Sequence, residues 1–135
     1  FGYKKTYNVK NLIIDEKKDF RYINNKIFNE LPQDIGIFFK QNDNPQIINQ
    51  YEREYFKTKN QKFRVTIDRN IKIFDQRKSN NPNISRKTIS QNYIVLEIKF
   101  DRKSRKDVGD LISNIPIRIS KNSKYINAFR SVYGI

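Results

Sequence analysis

The run Asn92-Tyr-Ile-Val-Leu-Glu-Ile-Lys-Phe100 constrains this chain more than any other stretch. It is rich in β-branched and aromatic residues, long enough to cross a sheet, and flanked by polar segments, which predicts a strand. Side chains in a strand alternate between faces. Ile94, Leu96, Ile98 and Phe100 therefore share one face, and Tyr93, Val95, Glu97 and Lys99 share the other. The first face demands a core. The second ends in a carboxylate and an ammonium, and what they look at decides function.

Earlier segments repeat this design. Lys62 to Asp68 sets Phe63, Val65 and Ile67 against Arg64, Thr66 and Asp68. Gln46 to Lys57 does so loosely, with Tyr51, Arg53 and Tyr55 opposite Glu52, Glu54 and Phe56. Phe1 to Val9 also alternates, placing Lys4, Thr6 and Asn8 opposite Tyr3, Lys5, Tyr7 and Val9. Asn60-Gln61 reads as a turn, and Asp68-Arg-Asn70 as a tight connection into a short returning strand, Ile71 to Phe74. Asp75 to Gln91 is polar and reads as a long loop with a short strand around Ile84 to Thr88.

Helices complete the picture. Asp15 can cap one running to about Leu31, whose Phe20, Ile23, Ile27, Phe28 and Leu31 form an apolar stripe before Pro32 ends it. Gln33 to Lys40 is a short second helix, followed by a turn at Gln41 to Pro45. Ser104-Arg-Lys-Asp107 is a capping-box pattern. It opens a helix with Val108, Leu111, Ile112 and Ile115 on one side and Pro116 at its end. Lys121-Asn-Ser-Lys-Tyr125 lies at a loop or helix start. The expected fold is α+β in one domain over residues 1–135: a largely antiparallel sheet with helices packed outside. The chain opens without Met inside a strand-like pattern, so the expectation is a piece whose N-terminal strands precede Phe1.

Charge narrows the partners. Lys and Arg number 28 against 14 Asp and Glu, a net charge of +14, which favours polyanions. There is no His and no Cys, so histidine-based triads, thiolate chemistry and zinc sites of either ligand are excluded. Any metal must sit on oxygen, which points to Mg²⁺, Mn²⁺ or Ca²⁺. No apolar run is long enough to span a bilayer and no signal peptide is visible. A cytoplasmic domain is expected, with any membrane association carried by segments outside this chain.

For one strand, a charged face means a sheet with one wet side. Three such faces together, carrying Arg53, Arg64 with Asp68, and Glu97 with Lys99, suit a closed sheet with a basic polar interior. Guanidinium forks match phosphate oxygens, and a carboxylate can hold a bridging divalent metal. Lys121, Ser123 and Lys124 offer two ammonium groups and a hydroxyl for a terminal phosphate, although a basic loop is more often solvated surface. Asp101-Arg-Lys-Ser-Arg-Lys106 reads as a solvated helix start or a generic polyanion contact.

Four segments occur in order: Gln50-Tyr-Glu-Arg-Glu-Tyr-Phe56, Phe63-Arg-Val-Thr-Ile-Asp68, Leu96-Glu-Ile-Lys99 and Asn122-Ser-Lys-Tyr125. Together they resemble the VTC domain, the polyphosphate polymerase domain of the vacuolar transporter chaperone family and its bacterial relatives, in the triphosphate tunnel metalloenzyme superfamily. The resemblance covers Gln46 to the end and, more loosely, Tyr3-Lys-Lys-Thr-Tyr7 with the following helix. It implies a β-tunnel with a basic interior and an enzyme moving the γ-phosphate of a nucleoside triphosphate, such as ATP, onto polyphosphate. It further implies Mn²⁺ or Mg²⁺ held by Glu97. Phosphate contacts would be Lys4, Tyr51, Arg53, Arg64, Lys99, Lys121, Ser123 and Lys124, with Arg53, Arg64 and Lys124 catalytic. The family domain is longer, and its first tunnel strands would precede Phe1. The alternatives are a triphosphate hydrolase of the same fold, or a non-catalytic polyphosphate-binding module. Nucleic acid is disfavoured, because most Phe residues fall on stripes that read as buried rather than on an exposed basic face. Oligomeric state is open.

Overall fold

The computed structural model describes residues 6–86, 88–116 and 120–135, and shows a mixed α+β chain with an antiparallel sheet. Among the described residues four α-helices, α1 (Phe20–Glu30), α2 (Gln33–Gln41), α3 (Arg105–Ser113) and α4 (Lys124–Tyr133), accompany four strands. The strands are β1 (Ile47–Lys57), β2 (Phe63–Asp75), β3 (Thr88–Ser90) and β4 (Val95–Phe100). The contacts divide the chain into two compact units: residues 1–48 with 74–88, and residues 49–73 with 89–135.

In the first unit α1 begins later than Asp15. Asp19 is the N-cap, its side chain accepting from the Tyr22 N–H. Asp15 instead closes a turn by accepting from the Lys17 and Lys18 N–H groups. Of the predicted stripe only Ile23 is fully buried. Gly36 lets α2 approach α1, since a Cβ there would lie 2.9 Å from the Phe28 ring. The segment after β2 is an ordered loop. Gln76, 2% exposed, donates to the Phe74 and Asn83 carbonyls and accepts from the Asn83 N–H. Glu16 accepts from the Ser85 hydroxyl. Polar composition predicts a long loop, and internal hydrogen bonding through Gln76 orders it. The Ser85 bond and contacts to the Ile84 N–H and Arg86 hold the Glu16 carboxyl below its ordinary range.

The second unit holds the sheet. β1 and β2 form a hairpin around Asn60-Gln61, where Gln61 takes a left-handed φ of 56° and the Asn60 carboxamide accepts from Thr58 Oγ1 and the Lys62 N–H. β2 pairs with β4 in antiparallel register, Phe63 with Phe100, Val65 with Ile98 and Ile67 with Leu96 on one face. β3 lies on the β2 ladder as well, and β1 takes the other side. The described residues thus form an open sheet, not a closed tunnel. Thr6 to Val9 is not a strand, and Phe1 to Lys5 lie outside the described residues. The strand expected from Asn92 starts at Val95, leaving Ile94 61% exposed. The strand expected around Ile84–Thr88 sits later, at β3.

The connection expected at Asp68-Arg-Asn70 does not exist; β2 continues through it. Asn70 has φ 51°, and Asn tolerates this left-handed region better than most residues. One such residue offsets the side-chain alternation. Thr66 and Asp68 are buried before it, Ile71 and Ile73 after it. Asn70→Val is expected to cost about 2 kcal/mol, because a β-branched residue resists this backbone. Asn70→Gly should cost less than half as much. Denaturant midpoints of the two variants check this.

Candidate functional site

Register brings the charged residues together. Arg64 lies opposite Lys99, Thr66 opposite Glu97, and Asp68 opposite Val95. Opposed residues of an antiparallel pair point to the same face. Arg64, Thr66, Asp68, Glu97 and Lys99 therefore share one face of the sheet. Arg53 joins them from β1: its Nε and Nη2 donate to the two oxygens of Asp68 at 2.5 and 2.8 Å. Lys124, the first residue of α4, brings its ammonium to Asp68 Oδ2 at 2.5 Å.

Asp68 is the hub. Its side chain is 0% exposed, whereas those of Arg53 and Lys124 are 22% and 21% exposed. A lone buried carboxylate would be very costly; two cations compensate it. The Arg53 guanidinium holds the Asp68 carboxyl below its usual range, against the opposing push of burial and with help from Lys124. The same bond raises the Arg53 pKa. The Tyr51 ring centroid lies 5.0 Å from Arg53 Cζ and 5.2 Å from Lys124 Nζ, so one aromatic ring is within cation–π reach of both cations. Asn49 donates to the Lys124 carbonyl, which ties the start of α4 to β1.

The other predicted residues divide clearly. Ser123 is the N-cap of α4, its Oγ accepting from the Ile126 N–H, so a lone pair serves the helix while its O–H can still donate. Lys121 is exposed just before it. Glu97 and Lys99 form a half-exposed ion pair at 3.3 Å. Arg64 and Lys99 line an open cleft of about 570 Å³ together with Lys57, Lys62 and Asp101. Lys4 lies outside the described residues. Arg53 and Lys124, read from the sequence as phosphate contacts, are brought together, but on a carboxylate.

Metal ligation would fall to Glu97. Among the described residues no group of three or more carboxylates could enclose an ion. A single carboxylate suits a cation that takes its remaining ligands from phosphate oxygens and water. Thr66 Oγ1 and Asn49 Oδ1 are buried without hydrogen-bond partners among the described residues.

Sequence reasoning placed Asp68 on a charged face but gave it no partner. A signal was present. Counting outward step for step from the Asn60-Gln61 turn lands on Arg53 on one side and Asp68 on the other. The approach of Lys124 depends on how α4 packs, and no local pattern encodes it.

Removing one cation should expose the cost of burying Asp68. Arg53→Ala is expected to destabilise the fold by about 3 kcal/mol at pH 7. Because folding lowers the Asp68 pKa, its charged form stabilises fully above about pH 4, its unfolded value. That contribution disappears as pH falls through the lowered folded value. The gap between Arg53→Ala and the unmodified chain should therefore persist down to about pH 4 and close below it, as followed by urea unfolding across pH.

No curated protein and no solved structure matches the chain significantly. The family model of the VTC domain matches residues 3–133. That span includes the hairpin, β4 and the start of α4, which carry the cluster. The chain belongs to the VTC domain family, a family associated with polyphosphate polymerase activity.

Proposed function

We propose that this chain is a polyphosphate polymerase-type domain, moving the γ-phosphate of a nucleoside triphosphate such as ATP to the end of a polyphosphate chain. The observation that carries the reading is the shared sheet face. Arg64, Glu97 and Lys99 lie on it by register, and Arg53 and Lys124 reach it through Asp68. Family membership supplies the substrate class.

Each residue has a task within this reading. Arg64 and Lys99 sit side by side and bind phosphate oxygens along the open cleft. Arg53 and Lys124 present their remaining donors to the γ-phosphate, with Tyr51 beneath them. Lys121 and Ser123 extend the cationic rim at the start of α4, and Lys4 would be a further phosphate contact. Glu97 would hold Mn²⁺ or Mg²⁺, which neutralises charge on the transferring phosphate. An acceptor phosphate oxygen attacks the γ-phosphorus in line, the bond to the bridging oxygen breaks, and the nucleoside diphosphate leaves. Such a transfer needs positioning and charge rather than a covalent relay, which suits a chain without His or Cys. The sheet would become a tunnel when further strands cover this face. No helix of the described residues is long and apolar enough to cross a membrane, and the reaction requires none.

Incubation with ATP, Mn²⁺ and a short polyphosphate primer tests the reading. Longer chains on a gel support it; release of free phosphate alone makes the chain a hydrolase, and neither product makes it a binder. Glu97→Gln is expected to lower turnover on the order of 10²-fold, the scale of losing one electrostatic contact to the transition state. Its affinity for tripolyphosphate without metal should be kept or increased, because a negative charge is removed. Arg64→Ala combined with Lys99→Ala should abolish measurable binding in calorimetry at moderate salt.

A further inference from the structure

We propose that Asp68 is a positioning residue: its buried carboxylate holds the Arg53 guanidinium and the Lys124 ammonium side by side as one prepared phosphate clamp, while cancelling part of their charge. The proposal rests on the phosphate-transfer reading above and adds a residue with no phosphate contact of its own.

Three observations point the same way. Arg53 meets Asp68 side-on through Nε and Nη2, which leaves Nη1 outside the pair. Lys124 spends one of three ammonium protons on Oδ2. Both cations therefore keep donors for a second anion while their stems are fixed. Next, one Tyr51 ring lies about 5 Å from both cationic centres, so the pair shares a single platform. Finally, Lys124 opens α4, where the positive end of the helix dipole disfavours a cation. Asp68 supplies the opposing charge that keeps the ammonium there.

Without Asp68 two long cationic side chains would repel each other and turn to solvent. With it their ordering is completed on folding instead of on substrate binding. The cluster then carries one net positive charge instead of two. It holds a resting polyphosphate less tightly than two free cations would. Catalysis gains only from contacts that are stronger in the transition state, so a weaker grip on the ground state with fixed geometry favours turnover.

The test uses the full chain, with inorganic tripolyphosphate as the binding probe and ATP, Mn²⁺ and a primer for turnover. Asp68→Asn keeps the shape of the side chain and removes its charge. The expected result is a split: the Kd for tripolyphosphate falls severalfold, kcat falls by about tenfold or more, and KM for ATP does not rise. An unchanged kcat overturns the proposal. So does a loss of kcat with a matching rise in Kd, the pattern of a carboxylate that only holds the fold together. If Asp68→Asn does not fold by circular dichroism, nuclear magnetic resonance of the unmodified chain decides. Tripolyphosphate should then shift the Arg53 Nε–H and the Lys124 ammonium, while the Arg53 Nε–H stays slow to exchange with water. An unshifted pair, or exchange as fast as in free arginine, overturns the proposal. If the unmodified chain neither binds tripolyphosphate nor extends the primer, both the phosphate-transfer reading and this proposal fall. If it does both and only the Asp68 arm fails, the reading stands alone.

Discussion

A single buried carboxylate organises the charged half of this molecule. Asp68 has no access to solvent, and only ionic partners make that tolerable. One partner comes from β1, the other from α4. The salt bridges thus tie the hairpin to the C-terminal helix of the second unit, with Asn49 adding a polar contact between the same elements. Buried ion pairs are weak evidence for stability, since apolar packing of similar volume often does as well. What they fix is which groups meet. Here the groups that meet are a guanidinium, an ammonium and a phenol.

The sheet supplies the rest through register alone. Once Phe63 pairs with Phe100, the alternation of both strands decides that Arg64 stands beside Lys99 and Thr66 beside Glu97. A slip of one residue would send these charges toward the apolar face. The paired Phe, Val and Ile residues across that face are therefore as important to the site as its charged members. Pairing with carboxylates leaves the net charge of +14 untouched, because Asp68, which holds two cations inside, and Asp107, which holds Lys62 on the surface, are already counted in it.

Strands were legible wherever alternation ran unbroken, as in Phe63 to Asp68 and Val95 to Phe100. The helix after Pro32 is found where the sequence suggests it, and Lys121 to Tyr125, which reads as a loop or a helix start, contains the start of α4 at Lys124. Errors arose where two signals competed. Asp15 is the expected cap, but it closes a turn and Asp19 caps the helix, where the Phe20 N–H also bonds the Asn80 carbonyl. The order of the polar loop after Phe74 comes from Gln76, an amide, and hydrophobic periodicity is silent about amides. Of the candidate site, the shared face of Arg64, Glu97 and Lys99 was visible in parity. That Lys124 would join Arg53 on Asp68 was not, since the approach of α4 leaves no mark on the local pattern, whereas the Arg53–Asp68 pairing could be counted outward from the hairpin turn.

Asn70 has a final implication. β2 reads in one phase up to Asp68 and in the opposite phase from Ile71, with a lone left-handed residue as the splice. Thr66 and Asp68 in the first half and Ile71 and Ile73 in the second are therefore all buried, although their positions differ in parity.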